Sequence, residues 1–239
     1  MPRSTQFEYT VRVSARARRV NLRVRPESGL EVVVPKRFRT SHIPEILEAN
    51  RPWIEKALRQ WREKRACMLA DFPPKSLALR ALGRHITVQY RAPRADRAGF
   101  SLQGERLVIY SEAQDQAAQA TALQAAVRQI AVDSLPALLA VEAARCGLRY
   151  GKVTVRGQRS RWGSCSSAGN ISLNYKLLFL EPALMRYVLC HELAHLRHLN
   201  HSPAYWQYLE SILPGARALD RRLDQAGAAV PVWLHGGMG

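Results

Sequence analysis

No C-x-x-C pair occurs in the chain, and its four cysteines, Cys67, Cys146, Cys165 and Cys190, lie far apart. That spacing excludes a thiolate zinc site of the ribbon or finger type. It also gives no sign of a dense disulfide framework, so free thiols in a reducing compartment are expected. Long apolar runs are missing as well: no uncharged stretch approaches the ~18–20 residues that cross a bilayer, and no membrane partner is expected. Met1–Val13 alternates charged, polar and apolar residues and lacks the apolar core of ~7–15 residues that marks a secretory signal. The expected location is the cytoplasm.

Acidic side chains are the third scarcity. Only 19 Asp+Glu oppose 36 Lys+Arg over 239 residues, for a formal net charge of +17. The imbalance is uneven: residues 1–65 carry net +9, residues 66–145 net +2 and residues 146–239 net +6. Such charge admits a nucleic acid or other polyanion as partner and equally serves solubility. No RNA-binding aromatic signature or zinc-finger spacing accompanies it. At 47% hydrophobic residues the chain is too apolar to be disordered, and it is long enough for one large domain or a compact pair.

Local patterning divides the chain into four portions. In residues 1–65, Phe7, Tyr9, Val11 and Val13 alternate with polar residues, as do Val20, Leu22 and Val24. A turn at Pro26-Glu-Ser-Gly29 leads to a third strand over 30–34. Arginines interleave with these strands, so the sheet has a basic face that is either phosphate-holding or simply solvated. Ile43, Ile46, Leu47, Ile54 and Leu58 recur at helical spacing and predict a helix from Ser41 to about Lys64, kinked or divided at Pro52. Residues 66–111 read as a linker with Pro73-Pro74 and then a β-rich segment, clearest at 86–90 and 107–110. Residues 112–226 open with a long helix over 112–146, which contains no glycine and one proline, Pro136. Strands over 152–156 and 170–174 flank a Gly/Ser-rich loop, a helix begins near Pro182, and further helix covers 209–223. Residues 227–239 are expected to be a loose tail.

The chemistry is concentrated in His191-Glu192-Leu193-Ala194-His195, an H-E-x-x-H pentapeptide inside a predicted helix. Residues four apart share a helix face one turn apart, so His191 and His195 can meet one tetrahedral Zn²⁺. Glu192, beside the first ligand, can face a zinc-bound water and serve as general base without ligating. Catalytic zinc wants a third protein ligand and an open position. His201 is the preferred third ligand, although on a continuous helix it would lie ~15 Å along the axis from His191. The helix must therefore end and the chain turn back. Asn200 tolerates a left-handed conformation, Ser202 resembles an N-cap and Pro203 a first helical residue. His198 and Glu210 are the rival third ligands.

Arg161-Trp-Gly-Ser-Cys-Ser166, Asn170-Ile-Ser-Leu-Asn174, the run His191–Ser202 and Tyr205-Trp206 resemble the YgjP-like family of predicted zinc metallopeptidases, which is related to SprT-type proteins. The resemblance is strongest over about residues 150–213 and extends more weakly to the N-terminal sheet and the Trp53 helix. It implies an α+β fold: a zincin-type core of a small sheet, a backing helix and an H-E-x-x-H helix, with a basic β-rich N-terminal portion. It also implies His201 as third ligand. His198 stands where metzincins carry glycine, so the chain is not placed among them. In zincins a strand like 170–174 lies above the metal and pairs with an extended substrate; here it is either that strand or a buried internal one. On the first reading Asn170, Ser172 and Asn174 would touch substrate. Arg161 would stabilise an oxyanion, orient a carboxylate or form an ion pair, and Tyr187 and Tyr205 are candidate donors to a tetrahedral intermediate.

The leading expectation is a zinc metalloprotease that hydrolyses peptide bonds, with His191, His195 and His201 as ligands and Glu192 as general base. Its substrate would be a protein or peptide, with a nucleic acid or other polyanion as a candidate second partner. The alternatives are a nucleic-acid-associated binding protein with a zinc centre, and a zinc hydrolase of a non-peptide amide or ester.

Overall fold

The computed structural model describes residues 7–15, 17–25, 29–69, 72–93, 99–158 and 161–235, apart from the side chains of Arg25, residues 64–69 and His235. Met1–Gln6, the first three residues of the expected turn at Pro26, Arg159 and the side chain of Cys67 lie outside these residues. The chain divides into a unit that runs to Phe72 and a unit from Pro73 to Leu234.

The first unit is a three-stranded sheet with two helices. Strands β1 (Tyr9–Ser14), β2 (Asn21–Arg25) and β3 (Gly29–Pro35) are ordered β1-β3-β2, with β1 parallel and β2 antiparallel to β3. The expected helix over 41–64 is two, α1 (Ile43–Ala49) and α2 (Arg51–Leu69), broken at Asn50. Pro52 sits in the first turn of α2, where its missing N–H has no partner to lose. Leu30, Val32 and Val34 of β3 pack with Ile43, Leu47 and Ile54 in one buried cluster. On β1 the basic face is partly engaged, since Arg12 pairs with Glu31 at 3.0 Å.

The second unit begins with β4 (Ser76–Leu79), β5 (Arg84–Arg91), β6 (Gly99–Gln103) and β7 (Arg106–Tyr110), ordered β4-β5-β7-β6. Thus the segment expected to be a linker and β-rich stretch supplies a complete four-stranded sheet. The long helix α3 (Gln116–Arg145) starts where the Asp115 carboxylate accepts from the Ala118 N–H at 2.8 Å and runs through Pro136. Its Leu123, Val127, Ile130, Leu135 and Leu139 recur at helical spacing and are all buried.

Strands β8 (Val153–Arg156), β9 (Gly163–Cys165) and β10 (Ile171–Asn174) form a small sheet in the order β8-β10-β9. Helices α4 (Pro182–Ala194), α5 (Pro203–Ile212) and α6 (Ala216–Leu223) follow. Mixed sheets and helices of this kind form an α+β fold. The chain after Gly227, expected to be loose, is held in the described part: Trp233 and Leu234 are buried, and the Gln124 amide donates to the Trp233 carbonyl at 2.6 Å. No described helix is long and apolar enough to cross a membrane.

Candidate metal centre and active-site cleft

Helix α4 carries the pentapeptide and stops at its end. Pro182 occupies the first turn, and His195 is already the C-cap. The turn-back comes at His195–Arg197, earlier than Asn200, through bonds from the Leu196 N–H to Leu193 and from the Arg197 and His198 N–H groups to Ala194. Leu196 then lies against Gly169 in the turn between β9 and β10. Helix α5 restarts as expected, with Ser202 accepting the Tyr205 N–H at 3.3 Å and Pro203 first in the helix.

The reversal brings His201 back to the helix face. His191, His195 and His201 each offer a ring nitrogen, and these atoms all lie within 4.8 Å of one another. His191 Nε2 and His201 Nε2 are 3.2 Å apart. The outer nitrogens of two rings are engaged: His191 Nδ1 is 3.2 Å from the Tyr187 hydroxyl, and His195 Nδ1 is 3.0 Å from the His198 carbonyl. His198 therefore meets the centre through its main chain. Glu210 is occupied elsewhere, accepting the Gly215 and Arg217 N–H groups at 2.8 Å each at the start of α6.

Tyr205 is fully buried beneath the three imidazoles, stacked on His195 with ring centroids 4.8 Å apart and an interplanar angle of 28°. Its hydroxyl donates to the His191 carbonyl at 3.3 Å, so it packs against the imidazoles from within the core. Burial, with the neighbouring imidazoles of His195 and His201, lowers the His191 pKa to about 3. Three imidazole nitrogens that converge on one point are a donor set of the kind a metal ion takes.

Glu192 is buried, and burial raises its pKa to about 8 against the opposing charge of Arg161. Its Oε2 is buried with no hydrogen-bond partner among the described residues. An oxygen left in that state is costly unless the site holds a polar ligand. Room for the carboxylate comes from β9. A Cβ at Gly163 would lie 2.5 Å from Glu192 Oε1, so only glycine admits the side chain there. The three histidines and Glu192 line a cleft of about 380 Å³, with Arg161, Trp162 and Cys165 on one side and Val188, Leu199 and Leu223 also contributing.

The strand beside this cleft is β9. Strand β10 is paired on both sides, parallel to β8 and antiparallel to β9, so it is the internal strand and has no free edge. The side chains of Asn170 and Asn174 accordingly serve the scaffold. The Asn174 amide donates to the carbonyls of Gln158 and Arg161 at 2.8 Å each, which ties down the loop that carries Arg161. The Asn170 side chain accepts from the Lys152 N–H at 2.8 Å, and Ser172 is paired with Ser164 of β9 and Thr154 of β8. Neither they nor Tyr205 lines the cleft; Arg161 does. Gly163 and Asp220 were not singled out by sequence reasoning. Gly163 lies within the quoted Arg161–Ser166 motif, whereas nothing local distinguishes Asp220 from its helix neighbours.

The chain matches the YgjP-like metallopeptidase-domain family over residues 18–226, and it belongs to that family. Among solved structures it is similar to the crystal structure of the metallopeptidase zymogen abylysin of Pyrococcus abyssi. The two are 31% identical over 38% of this chain and 91% of that one, with a TM-score of 0.35. No curated protein matches the chain. Membership implies a peptidase that works with a metal. The residues present fit one: three converging imidazole nitrogens, and beside them a buried carboxylate oxygen without a partner.

Proposed function

We propose that this family member is a zinc-dependent peptidase, with His191, His195 and His201 as the zinc ligands and Glu192 as the general base. The observation that carries the reading is the convergence of three imidazoles next to the orphaned Glu192 Oε2. Structural zinc takes four protein ligands, whereas catalytic zinc takes three and keeps a position open. Among the described residues no fourth histidine, cysteine or carboxylate joins the group. Zinc bound there supplies a Lewis acid for the scissile carbonyl and lowers the pKa of water toward ~7.

The chain's own residues do the rest. Glu192 accepts a proton from water on its carboxylate and delivers it to the departing amine nitrogen, so that the C–N bond breaks with a neutral leaving group. Arg161 favours the ionised carboxylate that this first step requires. An extended peptide lies along the free edge of β9. Bonds between the Ser166 N–H and Asn170 and between the Asn174 N–H and Trp162 fix the alternation of the β9–β10 ladder. The main-chain groups of Gly163 and Cys165 consequently point away from β10, toward the cleft edge.

The test is cleavage of an unfolded protein by the zinc-loaded wild type and by Glu192→Gln. The expected result is cleavage by wild type and a loss of ~10²–10⁴-fold in the variant with zinc still bound. Equal cleavage by both proteins would refute the role of Glu192.

A further inference from the structure

Asp220 lies on α6 and lines no part of the cleft, yet it is joined to the first ligand. Its Oδ1 accepts the Tyr187 O–H at 2.7 Å, and the same phenol oxygen stands 3.2 Å from His191 Nδ1. Tyr187 is fully buried one helical turn before His191, so its hydroxyl has no bulk water to turn to. A carboxylate has acceptor sites and no proton to give, and a phenol has one proton. That proton is committed to Asp220. The phenol oxygen then offers only a lone pair to the imidazole, which requires the His191 hydrogen to be on Nδ1. Nε2, the atom that faces His201, is left with its lone pair.

We propose that Asp220, acting through Tyr187, is a positioning residue that sets the tautomer and ring orientation of His191 for metal binding. Without the acceptor at position 220, the phenol is free to reverse and donate to Nδ1. That reversal stabilises the opposite tautomer, with the hydrogen on Nε2 where the metal should be. His195 needs no such side chain, because the His198 carbonyl can only accept. The proposal rests on the zinc reading above.

The test measures zinc affinity of the full chain by competition with a chromophoric chelator, together with the visible absorption of the Co²⁺ form. Tyr187→Phe and Asp220→Leu are each expected to weaken zinc binding by ~10–100-fold and to alter the cobalt bands. Asp220→Asn, whose amide oxygen still accepts the phenol proton, stays within about threefold of wild type. The double variant Tyr187→Phe/Asp220→Leu is no weaker than the worse single one, since both remove the same relay. Wild-type affinity in Tyr187→Phe, or in a folded Asp220→Leu whose metal-free melting temperature has dropped, would overturn the proposal and leave a clasp between α4 and α6. Losses that multiply in the double variant would overturn it too. His195→Ala separates the two readings: zinc binding as tight as wild type there, or none by wild type itself, would sink the metal centre and this relay with it.

Discussion

Replacing Gly163 with alanine puts a methyl group where the Glu192 carboxylate now lies. The added Cβ would be 2.5 Å from Oε1, 2.8 Å from Cγ and 2.9 Å from Cδ, where ordinary contact begins at 3.4 Å. Gly163 is not among the glycines with positive φ, so its backbone accepts alanine and the conflict is purely one of space. The contacted atoms belong to a flexible side chain, which withdraws by roughly 1 Å while β9 stays paired. Overpacking of this sort costs about 1–3 kcal/mol, so the protein folds. Activity responds differently, because a misplacement of about 1 Å in a reacting group costs ~10²-fold in rate. The assay is turnover of an unfolded protein by zinc-loaded Gly163→Ala, with zinc stoichiometry measured on the same sample. The expected result is one zinc per chain and a rate at least ~10²-fold below wild type. A folded, zinc-loaded variant that cleaves within about threefold of wild type would refute the argument that β9 positions Glu192 through Gly163.

Zinc at 100 times its Kd should stabilise the metal-free protein by about 2.7 kcal/mol, or roughly 5–10 °C in melting temperature for a unit of this size. In His201→Ala the same zinc concentration should give a much smaller rise; calorimetry with and without zinc checks both. Glu142 on α3 accepts from Arg145 at 2.7 Å and Arg186 at 2.8 Å. Burial alone would raise its pKa, but the bonds and charges of the two arginines outweigh it and hold the carboxyl below its usual 4.5. A depressed folded pKa stabilises above the unfolded value and is lost as pH falls through the folded one. Glu142→Gln should therefore lower stability by about 1–2 kcal/mol at pH 7 and flatten the fall toward acid, as read from urea midpoints against pH. Burial, with Glu142 alongside, pushes the Cys190 thiol up to about 12. Cys190 should resist iodoacetamide at pH 8 in the native protein and react after unfolding, which peptide mass spectrometry reads directly.

The secondary structure was legible wherever propensity and periodicity agree. The β-branched and apolar runs over 30–34 and 107–110, the glycine-free run after residue 112 and the cap at Ser202-Pro203 all correspond to elements found within a few residues. Strand β9 was not legible. Gly163-Ser-Cys165 has no β-branched residue, and it is a strand only because β10 pairs with it. Missing β9 had a consequence for the site, since without it β10 reads equally well as the strand with the free edge. The polar alternation of Asn170, Ser172 and Asn174 looks like a face presented to a substrate. Only the pairing shows that two of these side chains fasten neighbouring loops.

By itself the sequence determined the arrangement of side chains within one helical turn. The shared face of His191 and His195 follows from 3.6 residues per turn, and Glu192 stands beside His191 in any helix that contains it. It also determined that a helix restarts after His201, because Ser202 and Pro203 act within a single turn. Tertiary structure alone decided the groups that reach the centre from elsewhere in the chain. Tyr205 lies under the rings, Gly163 leaves room for Glu192, and Asp220 comes from a different helix to hold Tyr187. Local periodicity reports which residues share a face over a few turns. It does not report which face of another element arrives opposite, because that is settled by how the whole core packs.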